Sequence, residues 1–356
     1  MERYREMYPS RCLPSSFGDA MDLFRLTRGL IDIESITNNE KQVASCLLEY
    51  LSALAEHTGG LAERMEVEPD RFNVFACWGD PRVTLSTHMD VVPPFFPSRE
   101  DDEFIYGRGA CDAKGIIASM IEAAEELLQE GQRNFALLFV VGEERNSAGA
   151  LAAARQPRGS RFLINGEPTD NKLAAGSKGA LRYELVAYGR MAHSAYPELG
   201  ESAIDKLLDT LERIRKIPLP EDALLGPSTL NIGTISGGRA PNVVSDFARA
   251  EVMIRLVGSP EGIREAVNSV AAGRAEVREV LMIPALRLAT LDDLETTVVS
   301  FTTDIPVFGG AWGQPFLLGP GNIHVAHTME EKVSKRQLIE AVEIYRRMVK
   351  RLAASS

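Results

Sequence analysis

The sequence predicts an α/β protein: a layered domain with strands buried on both faces, interrupted by a self-contained α+β insert. Three observations carry that expectation. Short, near-continuous apolar runs ("NVFACW", "VTLSTHMD", "FALLFVV", "RFLIN") alternate with helical patterns through the first half, as strands of a covered sheet do. The half-polar segments that follow fall in the order β-α-β-β-α-β, the split unit of a ferredoxin-like sandwich. Glycine-bearing α/β segments then resume. The outer domain is expected over 1–176 and 288–356, and the insert over 177–287.

Along the chain, residues 38–58 read as a helix. Val43, Leu47, Leu51 and Leu54 recur at helical spacing, and Thr37 or Asn38 is placed to cap it. The strands "NVFACW" and "VTLSTHMD" follow, then an amphipathic helix from Lys114 to Glu130, the strand "FALLFVV", a helix from Ser147 and the strand "RFLIN". The insert begins with the alternating strand "GALRYELVAYG". Its first helix, "SAIDKLLDTLERIRKI", is stopped by Pro218 and Pro220. Strands "TLNIGTISGG" and "DFARAEVMIRLV", a helix opened by Pro260 and the strand "AEVREVLMIPALRL" complete it. A helix from about Ser334 closes the chain.

Composition excludes several classes. The 356 residues suit about two domains. A formal charge of -11 argues against nucleic acid and anionic membranes, which select basic patches. No apolar run approaches the ~18 residues of a membrane span. "MERYREMYPSRCLPSSF" has charge but no apolar core, so no signal peptide is expected. Cys12, Cys46, Cys77 and Cys111 show no CxxC spacing, which suits reduced thiols of a cytoplasmic protein.

Five stretches carry candidate chemistry. In "LSTHMDVVPP", His88 ends a strand and Asp90 follows two residues on. The pair suits a metal ligand whose other ring N–H meets a carboxylate, or else a loop histidine and a turn aspartate. In "YGRGACDAKG", glycines crowd Asp112 before a helix. A phosphate loop fails because Lys114 precedes Gly115 with no G-K-[ST]. A helix-capping aspartate competes with a carboxylate aimed at a metal. In "GEERNSAGA", Glu143 and Glu144 are adjacent acids beyond a strand. They form a solvated loop, or one binds a cation while the other moves protons. Glu167 in "FLINGEPTD" stands in the same topological place, or is a turn acid. His324 and His327 lie in "LLGPGNIHVAHTMEE". Of the five histidines, His88, His324 and His327 fall in two of these loops. Histidine and carboxylate ligands without cysteine suit zinc, with cobalt or manganese as substitutes. Two histidines and three carboxylates form a natural set for two metals sharing one carboxylate.

Together these stretches resemble the M20 family of metallopeptidases and deacylases. "STHMDVVP", "YGRGACDAKG", "GEERNSAGA", "GEPT", "KGALRYELVAYGRMAHSAYPELGESAI", "GGRAPNVVSDFA" and "GPGNIHVAHTMEE" follow the family order from His88 to Glu331. The resemblance implies a zinc-peptidase-like α/β catalytic domain with an inserted lid that also dimerises. It implies that His88, Asp112 and Glu167 hold one divalent metal, and that Asp112, Glu144 and His327 hold another. Asp90 would orient His88, and Glu143 would be the general base. His193 of the insert would reach the active site of a homodimer mate, while Asn242 and Arg255 would touch substrate. A cis peptide after Asp112 is implied as well. The sequence departs from the family pattern at Gly142, at Arg145-Asn146, at Ser245 and in "FTTDIP". "FTTDIP" and "LGPGNIHVAH" lean toward the acetylornithine deacetylase and succinyl-diaminopimelate desuccinylase branch. The expected activity is therefore hydrolysis of an N-acyl amino acid in amino-acid (arginine) biosynthesis. A dipeptidase or carboxypeptidase of the same family, and a non-catalytic binding protein on the same scaffold, are the rivals.

Overall fold

A computed structural model describes residues 23–355. Cys12 and the N-terminal stretch bearing on a signal peptide lie outside them. Cys46 and Cys111 are buried and Cys77 is half-buried, and no disulfide joins them. Among the described residues, no helix is long and apolar enough to cross a membrane.

The principal elements, in chain order, are α1 (Leu23–Ile31), α2 (Lys41–Thr58), β1 (Leu61–Glu68), β2 (Arg71–Trp78), β3 (Val83–His88), α3 (Lys114–Gln129), β4 (Phe135–Val140), α4 (Ala148–Ala154) and β5 (Phe162–Asn165). They continue with β6 (Gly179–Tyr188), α5 (Ala203–Ile214), β7 (Thr229–Gly237), β8 (Phe247–Leu256), α6 (Glu261–Ala271), β9 (Glu276–Ile283), α7 (Ile305–Phe308), β10 (Gln314–Leu317) and α8 (Lys335–Ala354). The chain divides into two compact units. One comprises the chain through Ala174 with Leu288–Thr297 and the chain from Thr303 onward; the other comprises Ala175–Arg287 and Val298–Thr302.

The first unit is built on a six-stranded sheet in the order β1-β2-β4-β3-β5-β10. β4, β3, β5 and β10 run parallel, while β1 and β2 add an antiparallel edge. β4 shows why its sequence reads as one apolar run. Phe135, Leu137 and Phe139 enter a core with Ile117 and Leu127 of α3 and Tyr345 of α8. Ala136, Leu138 and Val140 enter another core with Ala150, Ala153 and Phe308. With side chains alternating along a strand, each face needs its own apolar set.

Helix α2 buries Val43, Leu47, Leu51 and Leu54, as its periodicity predicts. It ends at Gly59, whose φ of 75° is left-handed. Its expected cap is corrected. The cap position is Glu40, with no side-chain cap bond, because the Thr37 hydroxyl instead donates to Asp90 at 2.8 Å. At α8, Ser334 does cap, accepting the N–H of Gln337. α1 and β1 have no counterpart in the sequence reading, and α7 and β10 fall in a stretch read only as glycine-bearing α/β segments. β1 fully buries Met65 alone, with Ala62 and Val67 half-buried among charged residues, so no apolar run marks it.

The second unit holds a four-stranded antiparallel sheet in the order β7-β8-β6-β9. Leu181, Tyr183 and Leu185 of β6 and Val252 and Ile254 of β8 pack on Leu207 and Leu211 of α5 and Ile263 and Val267 of α6. The alternate residues of β6, from Arg182 to Tyr188, are partly or fully exposed. Sheet and helices therefore form the two-layer α+β sandwich that the order of elements predicts.

Candidate dinuclear metal centre

Parallel strands end on the same edge of a sheet, and that edge is where α/β folds gather functional groups. Here His88 closes β3 opposite Val140 of β4, and Ser86 lies opposite Asn165 of β5. The Glu143–Glu144 loop and Glu167 therefore emerge beside His88. Gly166 sets that placement. A Cβ there would come within 2.4 Å of Ile116 and 2.6 Å of Met120, so glycine lets the strand end lie directly on α3. Asp112 joins from the turn before α3, and its peptide bond to Ala113 is cis.

The side chains form two groups with one member in common. His88, Asp112 and Glu167 present ligand atoms within 4.8 Å of one another, as do Asp112, Glu144 and His327. Asp112 has one oxygen for each group: Oδ1 lies 3.0 Å from His88 Nε2, and Oδ2 lies 3.3 Å from His327 Nε2. His327 Nε2 is also 2.9 Å from Glu144 Oε1. The first group is buried throughout, whereas the His327 side chain is 49% exposed.

Asp90 holds the arrangement from beneath. Its Oδ1 accepts the Glu143 N–H at 3.0 Å, and its Oδ2 accepts the Glu144 N–H at 3.2 Å together with the Thr37 hydroxyl. His88 Nδ1 is 3.0 Å from the Asp90 carbonyl oxygen and 3.5 Å from its carboxylate. Asp90 thus fixes both the histidine ring and the acidic loop. Gly142 opens that loop with φ 79°. This conformation favours glycine over a residue with a side chain. Asn73 braces the same turn, accepting the Val141 N–H and donating to the Gly149 carbonyl.

Electrostatics set the carboxylates apart. Burial pushes Glu143 and Glu167 well above the usual range, and neighbouring carboxylates, Asp304 among them, add to the push. Burial raises Glu144 too, Asp112 pushes the same way, and the His327 hydrogen bond opposes them. Burial pushes Asp112 up, but hydrogen bonds from His327 and His88 outweigh it and hold Asp112 low. His327 is raised to about 10 by hydrogen bonds to Asp112 and Glu144. So many buried acids facing two histidines are costly without compensating positive charge. Glu167 Oε1 is buried with no hydrogen-bond partner. Nitrogen and carboxylate donors, converging with one oxygen left over, fit divalent cations of the zinc, cobalt or manganese kind.

His193, Asn242 and Arg255 belong to the second unit. His193 and Asn242 are exposed, on adjoining loops joined by the Ser194 N–H to the Asn242 carbonyl. Arg255 lies on β8, half-buried, and burial lowers its pKa. His324 is exposed and in neither ligand group. The sequence reading missed Thr37, Asn73, Asp304 and Glu331. Asp304 had a signal in "FTTDIP"; the others act through contacts with no local pattern.

Comparison with known proteins identifies the family. The sequence model of the family described as "Peptidase family M20/M25/M40" matches residues 84–351. A "Peptidase M20 domain-containing protein" of Schizosaccharomyces pombe is 38% identical over 340 residues, covering 92% of this chain and 84% of that protein. A protein of Aspergillus terreus named "Probable carboxypeptidase" is 37% identical over 365 residues, covering 90% and 84%. The crystal structure of aminopeptidase PepT from Bacillus cereus superposes with a TM-score of 0.74 at 21% identity, covering 94% of this chain and 100% of that one. A Bacillus subtilis protein described as a dinuclear metal binding peptidase from the M20 family superposes with a TM-score of 0.67 at 16% identity, covering 94% and 98%. On the strength of the family match and of relatives this similar over most of their length, the chain belongs to peptidase family M20/M25/M40, hydrolases of amide bonds.

Proposed function

We propose that this hydrolase uses two divalent metal ions, zinc foremost, to cleave the amide bond beside the C-terminal carboxylate of a small peptide. The observation that carries the metal reading is Asp112, whose two oxygens face two separate ligand groups. The carboxypeptidase reading draws on the printed names of curated relatives such as the Aspergillus terreus protein.

Divalent cations bound between these groups would polarise the scissile carbonyl and acidify the attacking water. Glu143 stands beside the ligand groups and in neither of them. It takes the water's proton as oxygen adds to the carbonyl carbon. It returns that proton to the amine nitrogen as the C–N bond breaks.

His193, Asn242 and Arg255 also have roles in this proposal. The His193 Nδ1 accepts the Ala195 N–H at 3.1 Å, so in the neutral ring the proton sits on Nε2. That N–H is a free donor for the oxyanion in a homodimer, reaching the partner's site with Asn242 beside it. Arg255 has no side-chain hydrogen bond or ion pair among the described residues, and burial is its one resolved influence. A half-buried, unpaired guanidinium suits bidentate capture of a substrate carboxylate.

A second reading is N-acyl amino acid deacylation, with N-acetylornithine as its type substrate, favoured by "FTTDIP" and "LGPGNIHVAH". Both readings break an amide next to a free α-carboxylate. A zinc- or cobalt-loaded panel of dipeptides, tripeptides, N-acetyl amino acids and succinyl-diaminopimelate separates them. Release of the C-terminal residue from peptides supports the first. Turnover confined to N-acyl amino acids supports the second. Turnover of neither class overturns both.

A further inference from the structure

A buried ion pair that belongs to neither ligand group supports the turn presenting Asp112. Glu331 and Arg108 are each 1% exposed, and Arg108 Nη1 donates to Glu331 Oε2 at 2.5 Å. The other carboxylate oxygen, Oε1, accepts the backbone N–H groups of Gly109 at 3.0 Å, Cys111 at 3.3 Å and Asp112 at 3.2 Å. The main-chain carbonyl of Glu331 accepts the Gly107 N–H at 3.1 Å. Glu331 therefore gathers the backbone of the turn that presents Asp112. It does so from the segment that carries His327, four residues upstream of it.

Replacing a buried ion pair by apolar residues is often neutral or stabilising, so its presence is weak evidence of a stability role. Its geometry argues for a different one. His88 is held in the β3 ladder, and Glu167 follows the end of β5 by two residues. His327 is not on a strand end: it sits on a loop, with φ 64°, next to Ala326, which anchors that loop in the core. That loop is tied at its start, where Asn322 donates to Asp170 at 2.8 Å, and at its end by the Glu331 carboxylate and by the ladder of residues 332–334 with 104–106. Disturbing the carboxylate tie loosens the His327 segment against the Asp112 turn, while the Gly107 bond and the 332–334 ladder keep the chain in place and His88 and Glu167 retain their strand-end positions.

We propose that the Arg108–Glu331 pair is a positioning device that yokes His327 to Asp112 and sets metal affinity in the Asp112–Glu144–His327 group selectively. The inference rests on the dinuclear reading above. Groups that orient metal ligands typically contribute about 10- to 100-fold in affinity.

The test uses the full chain and measures zinc binding by chelator competition, with the visible spectrum of the cobalt-loaded protein as a second readout. Glu331→Gln keeps an acceptor for the backbone cradle but removes the ion pair. Arg108→Lys keeps the charge but loses the fork, and it decides the matter if the Gln variant does not fold. In both, one equivalent of metal is expected to bind within about threefold of native and the other to weaken about 10- to 100-fold. The cobalt spectrum of the weakened equivalent should change, and kcat should recover in excess metal with KM unchanged. Native affinity for both equivalents in the variants, or equal weakening of both, overturns the inference. A native chain that binds fewer than two equivalents overturns the dinuclear reading itself, and this inference with it.

Discussion

The two candidate ligand groups share Asp112 but are held by different parts of the fold. His88 and Glu167 come from the ends of adjacent parallel strands and are buried. Glu144 and His327 come from loops, and the His327 side chain is half exposed. Strand-end residues inherit their positions from the backbone ladder. Loop residues require dedicated contacts: Asp90 for the Glu144 backbone, Glu331 for the His327 segment. One sheet edge thus supports a rigid half-site and a tethered one, which predicts that metal is lost from them unequally.

The largest expected effect comes from the shared residue. Asp112→Ala should abolish both halves, leaving less than one equivalent of metal and no measurable turnover. Retention of one tight equivalent would show that the halves are independent and remove the bridging role. Next is His327→Ala, which should release one equivalent and spare the other. His88→Ala, by contrast, should weaken the buried half and disturb Asp112 as well. Metal titrations of the two variants side by side sharpen the comparison, and identical profiles would break it. Asp90→Asn should be milder, since the amide keeps one carbonyl acceptor for the loop. An affinity loss of about 10-fold is expected, at the low end for groups that orient ligands. The smallest effect is on Thr37→Val, which removes one hydrogen bond to Asp90 worth about 1.5–3 kcal/mol when the acceptor is charged. It should lower thermal stability while leaving metal stoichiometry at the native value, and loss of an equivalent would mean that Thr37 supports the site more directly than the contact indicates.

The same division decided what could be read before any coordinates. Apolar strands announce their ends, so His88, Glu143, Glu144 and Glu167 stood out as polar residues just beyond buried runs. Asp112 was marked by the glycines around it. The supporting contacts left no such trace. Thr37 and Asp90 are 53 positions apart, and Glu331 and the Asp112 N–H are 219 apart. Nothing in the periodicity of either segment points to the other. Local chemistry offers Thr37 or Asn38 as a helix cap, and nothing nearby points the Thr37 hydroxyl to Asp90 instead. β1 was invisible for a related reason: an edge strand that fully buries Met65 alone lacks the apolar run by which strands are recognised. Most of the insert was legible, because its strands alternate; its last strand, read through Leu288, instead ends at Ile283 before Pro284, and Leu286–Arg287 pair with Ser177 and Gly176 in another sheet.

The central claim is that Glu144 holds metal and Glu143 moves protons. Its most direct test is metal stoichiometry and turnover of Glu143→Gln measured on the same preparation. Two bound equivalents with kcat reduced about 10²- to 10⁴-fold is the predicted result. Near-native turnover, or loss of metal in step with activity, would contradict it.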